Sequence, residues 1–241
     1  MRTLALTVSL SAVAISLAAC GSTPGAQPHD MSAAQHEAMA KQSDQSSTTH
    51  LSQYDSNAAT PVERCSGGAH ARANGPCWTS YTNPTAEHQK TANEYKKAAA
   101  DHRAASQALR DAETRACAGI DEADRDTSPF AHREDIVGVE RITGTSGPKA
   151  NTTTVAGAVV TFRAVPGLTQ QYLQREIDCH VARNAAMGHD APEMATCPLQ
   201  PKGIQTEVTS TRDGFAVAIR ASDPATANEV VRRAEALRTA R

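Results

Sequence analysis

Residues 204–220 read IQTEVTSTRDGFAVAIR, and this stretch decides the fold class of the chain. Apolar and polar residues alternate on both sides of Arg212-Asp213-Gly214, and Asp-Gly is a strongly preferred centre for a tight hairpin turn. The stretch therefore predicts two antiparallel strands that meet at this turn.

The residues around this hairpin predict two further strands and two helices. Strands are expected over 135–142 and 155–165, and a helix over 168–187 that ends at Gly188. After the hairpin, a proline at the first helical position starts a last helix over 225–238.

Residues 133–241 thus have the predicted order β-β-α-β-β-α, which indicates an α+β fold. We expect a two-layer sandwich: a four-stranded antiparallel sheet with two helices on one face. The same order results when the last strand of a ferredoxin-like β-α-β-β-α-β unit is moved to its front. The expected core residues are Val160, Phe162, Val208, Phe215, Val217, Ile219, Val230, Val231 and Leu237.

A long, alanine-rich helix is predicted over residues 83–120, before this domain. Asn83-Pro84 is typical of a helix start, and Gly119 is typical of a helix end. Its small apolar residues recur at spacings of three and four and form a thin stripe with His102. We expect this stripe to lie along the domain or to pair with another helix.

The N-terminus indicates export. Arg2 is followed by an uncharged, mostly apolar run that is too short for a membrane span and suits a signal peptide. This run ends in Leu17-Ala18-Ala19-Cys20, which resembles the lipobox of bacterial lipoproteins. The resemblance implies a signal peptide over 1–19, cleavage before Cys20 and acylation of that cysteine.

This resemblance also implies a location and a partner. The lipid on Cys20 would hold the protein in the membrane of the cell envelope, and in a Gram-negative cell Gly21 after it favours the outer membrane, facing the periplasm. Loss of Arg2 with the leader changes the formal charge from −2 to −3, so no basic patch for nucleic acid is expected.

Residues 20–60 are rich in Ser, Thr, Gln and Ala, and we expect them to form a disordered tether. His29, Met31, His36 and Met39 lie within it, and imidazole and thioether groups suit copper. The tether thus allows two interpretations, a polar linker or a copper-binding segment.

Residues 61–82 are expected to form a loop region that contains Cys65 and Cys77. A disulfide between them would close a small loop and stabilise it by about 3 kcal/mol. We favour this disulfide over zinc binding, because the residues nearby lack the further cysteine or histidine pair that a zinc site needs.

Cys179 and Cys197 lie on the 168–187 helix and in the loop after it, close to His189. In an oxidising compartment these two cysteines are expected to form a disulfide, although a metal or redox site is an alternative. Five cysteines remain after Cys20 is set aside, so at least one thiol is free or bound to a partner, and Cys117 is the candidate for the free thiol.

The sequence contains no nucleophile elbow, no HExxH or CxxC motif and no glycine-rich phosphate loop. The predicted function is therefore a non-enzymatic binding or interaction module of the envelope, anchored by lipid, with an unknown envelope partner. The alternative is a periplasmic protein that binds or handles copper.

Overall fold

A computed structural model describes residues 23–66, 75–146, 152–190, 194 and 196–239. The predicted signal peptide over 1–19 and Cys20 lie outside the described residues. No helix in the described part of the chain is long and apolar enough to span a membrane. The helices are α1 (Ala33–Gln53), α2 (Ala86–Ala116), α3 (Glu122–Asp126), α4 (Gln170–Ala186) and α5 (Pro224–Thr239). The strands are β1 (Thr60–Cys65), β2 (Cys77–Thr82), β3 (Ile136–Ser146), β4 (Thr152–Arg163), β5 (Ile204–Thr211) and β6 (Gly214–Ala221).

The α+β fold is confirmed. Strands β3 to β6 form a four-stranded sheet in the order β3-β4-β6-β5, and every neighbouring pair is antiparallel. Strands β4 and β5, which α4 connects, therefore flank β6 and run parallel to each other. This is the strand order that the permuted ferredoxin-like arrangement requires.

One face of this sheet packs against α4 and α5 and contains the main core. All nine expected core residues are buried there, and cross-strand pairs such as Phe162 with Phe215 and Val160 with Val217 form its centre. Phe130 covers one end of the core and stacks on Phe162, with ring centroids 5.7 Å apart. The alternating pattern at residues 204–220 therefore predicted both the hairpin and the face that is buried.

Gly157 lies at an irregularity in the pairing of β3 with β4. Its φ of +145° is rarely adopted by residues with a side chain, and a Cβ atom at this position would overlap the backbone of Ile219. A glycine is therefore needed at this position, where β4 pairs with β6.

The predicted tether is wrong for most of its length, because residues 33–53 form the helix α1. Ser32 caps this helix: its hydroxyl accepts a hydrogen bond from the Gln35 backbone, and the Gln35 side chain accepts one from the Ser32 backbone. Helix α1 then packs antiparallel along α2, the long helix predicted over 83–120. The stripe on α2 thus has its partner helix in the same chain.

Small residues at alternating spacings of three and four form the contact between α1 and α2, here called the seam. Two serines pair with backbone carbonyls across it: Ser47 Oγ donates to Ala92 O at 2.9 Å, and Ser106 Oγ donates to Ala33 O at 3.0 Å. Side chains this small let the two helices approach closely. The buried seam residues are Ala33, His36, Ala40, Ser43 and Ser47 on α1 and Ala92, Ala99, His102, Ala105, Ser106 and Leu109 on α2.

Candidate functional site

Two disulfides are present among the described residues, and one of them differs from the expected pairing. Cys65 and Cys77 are bonded across 12 residues, as the sequence favoured. The expected bond between Cys179 and Cys197 is wrong, because Cys179 is bonded to Cys117 instead. Cys117 is therefore not the unpaired thiol, and the free cysteine of the described residues is the buried Cys197.

The direction of Cys179 on α4 explains this pairing. On a helical wheel Cys179 points away from Ile177, which faces the sheet. That outer side of α4 packs against the C-terminal end of α2, where Cys117, Ile120 and Cys179 form a small apolar cluster with Tyr172. The disulfide thus joins the helix pair α1–α2 to the α+β domain.

Cys197 lies in the wall of a cavity of about 200 Å³, next to Ser128, Phe130 and Leu237. Burial raises the pKa of its thiol, and its sulfur lies 3.6 Å from Ser128 Oγ. A thiol held in the protonated form is a weak nucleophile, so this environment does not favour thiol catalysis at Cys197.

The imidazoles near Cys179 do not form the metal set that the sequence left open. His180 is fully buried, its Nε2 pairs with the Asp124 backbone oxygen at 3.1 Å, and desolvation lowers its pKa. His189 Nδ1 pairs with the Gln200 backbone oxygen at 2.8 Å. Because the sulfur of Cys179 is bonded to Cys117, it cannot act as a thiolate ligand.

A group of acidic residues and a tyrosine on and beside α4 was not anticipated. The Tyr172 hydroxyl donates to Asp124 Oδ2 at 2.6 Å, and this bond, with burial, raises the pKa of Tyr172 to about 12. Burial of Glu176, together with the charge of Asp124, raises the pKa of that carboxyl to about 7. The acidic run around Asp124, on α3, packs against α4.

The seam contains two pairs of histidines that face each other across the helices. His36 Nδ1 lies 3.0 Å from His102 Nδ1, and both rings are buried. His50 Nδ1 lies 3.2 Å from His88 Nδ1, and both of these rings are partly exposed. The pairs are 14 residues apart on each helix, which places them about 21 Å apart along the seam.

Both nitrogens of His36 have partners within the protein, so the copper set His29, Met31, His36 and Met39 is not assembled. Its Nδ1 faces His102, and its Nε2 lies 3.4 Å from the Pro28 backbone oxygen. The Met39 side chain lies on the exposed side of α1. The sequence placed His36 in a flexible segment and could not show that it is a seam residue.

Two groups of three metal-ligating side chains occur within the part of the chain that the structure describes. Glu63 belongs to the first group with Cys65 and Cys77, whose sulfurs are bonded to each other. His132, Glu134 and Asp135 form the second, and in this group Asp135 is already paired with Arg163 at 2.6 Å. Neither group is a strong metal centre.

Strands β1 and β2 form a two-stranded hairpin, here called the β1–β2 hairpin, between the ends of α1 and α2. Nine of the twelve residues in these two strands are exposed, including Trp78 at 51% and Tyr81 at 70% of full exposure. Trp78 lies opposite Arg64 in the ladder, and Tyr81 lies opposite Pro61. The two aromatic side chains therefore point from opposite faces of an uncovered ribbon.

The base of this hairpin is held by a polar network that joins the ends of the two helices. Asn83 Nδ2 donates to the Asp55 backbone oxygen at 2.7 Å, and Thr85 Oγ1 accepts from the Asp55 backbone N–H at 3.0 Å. The Cys65–Cys77 disulfide closes the other end of the ladder. The ribbon is thus tied at both ends, although no helix or sheet among the described residues covers either face.

No protein-family model matches this chain, and neither a curated protein nor a solved structure matches it.

Proposed function

We propose that this protein is a lipid-anchored protein of the bacterial envelope that binds another envelope component through the β1–β2 hairpin. The observation that carries this proposal is the exposure of Trp78 and Tyr81 on a ribbon that the rest of the described chain leaves uncovered. Aromatic residues are enriched among the residues that contribute most to binding at protein interfaces.

The distribution of exposed apolar side chains supports this choice of surface. Seven large apolar side chains are exposed among the described residues, and Val62, Trp78 and Tyr81 of the hairpin and Leu51 in the last turn of α1 are four of them. A two-stranded ribbon in water is only marginally stable, so the disulfide that braces it supports a role for this shape. Its two edges also offer free backbone groups to an added strand.

The short sequence distance between Cys20 and the first described residue, Thr23, supports anchoring close to the bilayer. Thr23 donates to Asp101 Oδ2 through its backbone N–H at 3.1 Å and through its hydroxyl at 2.6 Å. Thr23 is the third residue after Cys20, a reach of at most about 11 Å. A lipid on Cys20 would therefore hold the middle of α2 near the membrane surface, instead of at the end of a long tether.

The β1–β2 hairpin begins about 22 Å along α2 from this attachment, since Asp101 lies 15 residues after Ala86. The seam between α1 and α2 keeps this spacing fixed. In this arrangement, the helix pair acts as an arm that presents the hairpin at a set distance from the anchor. The two disulfides are compatible with the oxidising envelope that the arrangement requires.

Photo-crosslinking in intact cells tests this function. A benzophenone amino acid at position 81 should give a discrete adduct, and the same group at position 212, in the exposed turn between β5 and β6, should not. In the protein that carries the benzophenone at position 81, the additional substitution Trp78→Ser should abolish the adduct. Equal crosslinking from both positions would contradict a binding surface on the hairpin.

The anchor is tested separately by fractionation of a Cys20→Ala variant. We expect this variant to appear in the soluble envelope fraction, because it lacks the thiol that would carry the lipid. A variant that stays in the membrane fraction after a high-salt wash would contradict the lipid anchor.

A further inference from the structure

We infer that His50 and His88 form a binding site for a divalent first-row transition-metal ion, with Cu²⁺ bound most tightly. Their facing Nδ1 atoms lie 3.2 Å apart at the hairpin end of the seam, where both rings are partly exposed. The inference is independent of the proposed function, because it concerns these side chains and not the binding partner.

The separation of the two nitrogens matches the bite of a chelated ion. Two imidazole nitrogens about 2.0–2.1 Å from one ion are about 3.3 Å apart at a tetrahedral angle and about 2.9 Å apart at a right angle. The distance of 3.2 Å between His50 Nδ1 and His88 Nδ1 lies between these values. The helices therefore already hold the two nitrogens at a separation that one ion can bridge.

The ring positions are set by the helices and by a neighbouring aromatic side chain. His50 stacks on Tyr95 with an interplanar angle of 17° and ring centroids 5.7 Å apart. The network of Asp55, Asn83 and Thr85 ties the end of α1 to the start of α2. Ligands positioned in this way bind with little loss of conformational entropy.

A hydrogen bond between the two facing nitrogens requires an Nδ1–H on one ring as the donor and an Nδ1 lone pair on the other as the acceptor. An ion would take the place of this proton, which would pass to solvent, and both rings would then act as neutral ligands. Imidazole suits copper, nickel and zinc, and the affinity order of divalent ions places Cu²⁺ first.

The second histidine pair of the seam differs in access and serves as a comparison. His36 is fully buried and His102 is 3% exposed, so an ion between them would have no room for water ligands. The His50–His88 pair is open on one side, where water can complete the coordination. We therefore assign the metal to the exposed pair only.

Equilibrium dialysis of the full chain in detergent against Cu²⁺ tests this site, with Cys197→Ser in every sample so that the free thiol does not reduce the ion. A His50→Gln/His88→Gln variant should bind one equivalent fewer than its parent, and each single variant should bind this equivalent at least tenfold more weakly. The matched control, His36→Gln/His102→Gln, removes two imidazoles from the same seam and should bind as the parent does. The inference would be overturned if the control lost one equivalent of Cu²⁺ and the His50→Gln/His88→Gln variant did not. It would also be overturned if all the proteins bound Cu²⁺ equally.

A measurement on the parent protein keeps the inference testable if the variants fail to fold. Bound Cu²⁺ should give an electron paramagnetic resonance spectrum with splitting from two nitrogens. It should also protect His50 and His88 from diethyl pyrocarbonate, as mapped by mass spectrometry. Protection of other histidines, or a spectrum without nitrogen splitting, would refute the site.

Discussion

Removal of the Cys117–Cys179 disulfide should separate the melting of the helix pair from that of the α+β domain. The bond closes a loop of about 62 residues that connects α2 to α4. By the chain-entropy estimate, such a loop contributes about 4 kcal/mol. A domain of this size loses about 2–4 °C in Tm for each kcal/mol, so a Cys117→Ala/Cys179→Ala variant should melt about 10 °C lower.

Differential scanning calorimetry and circular dichroism would measure this change. The helix signal should fall first, because without the bond the seam of Ala, Ser and His side chains buries little apolar surface. The matched control is Cys65→Ala/Cys77→Ala, which opens a loop of 12 residues in an exposed ribbon. Since that ribbon packs on neither α4 nor the sheet, its loss should leave the main Tm nearly unchanged. An unchanged Tm for the first variant, or an equal fall for both, would refute this reasoning.

Three further changes have defined outcomes. Burial lowers the pKa of His102 below its usual 6.5. The stability that neutral His102 contributes is therefore complete above pH 6.5 and is lost as the pH falls. Urea unfolding of His102→Gln should depend less on pH between 5 and 7 than unfolding of the parent does. Glu176 has a pKa raised to about 7, so stability falls as the pH rises through 7, and Glu176→Gln should be more stable at pH 8 by up to about 3 kcal/mol in the same assay. Gly157→Ala should destabilise the sheet by more than about 2 kcal/mol, because the alanine Cβ would overlap the Ile219 backbone. At about 2–4 °C in Tm for each kcal/mol, a Tm within about 2 °C of the parent would contradict this.

The α+β domain could be predicted because its sequence carries strong local signals. The turn at Asp213-Gly214 and the alternation on either side of it set both the register and the buried face. Helices α4 and α5 begin near capping or proline residues and carry apolar stripes. Where local pattern and tertiary packing agree in this way, sequence alone identifies the core.

Helix α1 could not be predicted in the same way, because its buried face is chemically polar. Ser43, Ser47 and His36 count as surface residues in a hydrophobic pattern, although here they pack against a helix of equally small residues. The spacing of three and four was present in the sequence, but it is visible only when Ser and His are allowed as seam residues. The histidine pairs were missed for the same reason.

The cysteine pairing was mispredicted because the expectation relied on closeness in sequence. Cys197 follows Cys179 by 18 residues, whereas Cys117 precedes it by 62. The helical position of Cys179, opposite the stripe that enters the core, already indicated a neighbour outside the sheet. The partner of Cys179 is set by the packing of α2 against α4. No short stretch of the sequence indicates this contact.

The central claim, that the β1–β2 hairpin is the binding surface, is tested most directly at Trp78, the single tryptophan of the chain. Protein labelled with 5-fluorotryptophan should give one ¹⁹F resonance, from a side chain that is 51% exposed. Addition of the envelope component captured by crosslinking at position 81 should shift or broaden this resonance, and Tyr81→Ser should weaken the effect. A resonance that stays unchanged at saturating amounts of that component would contradict the claim.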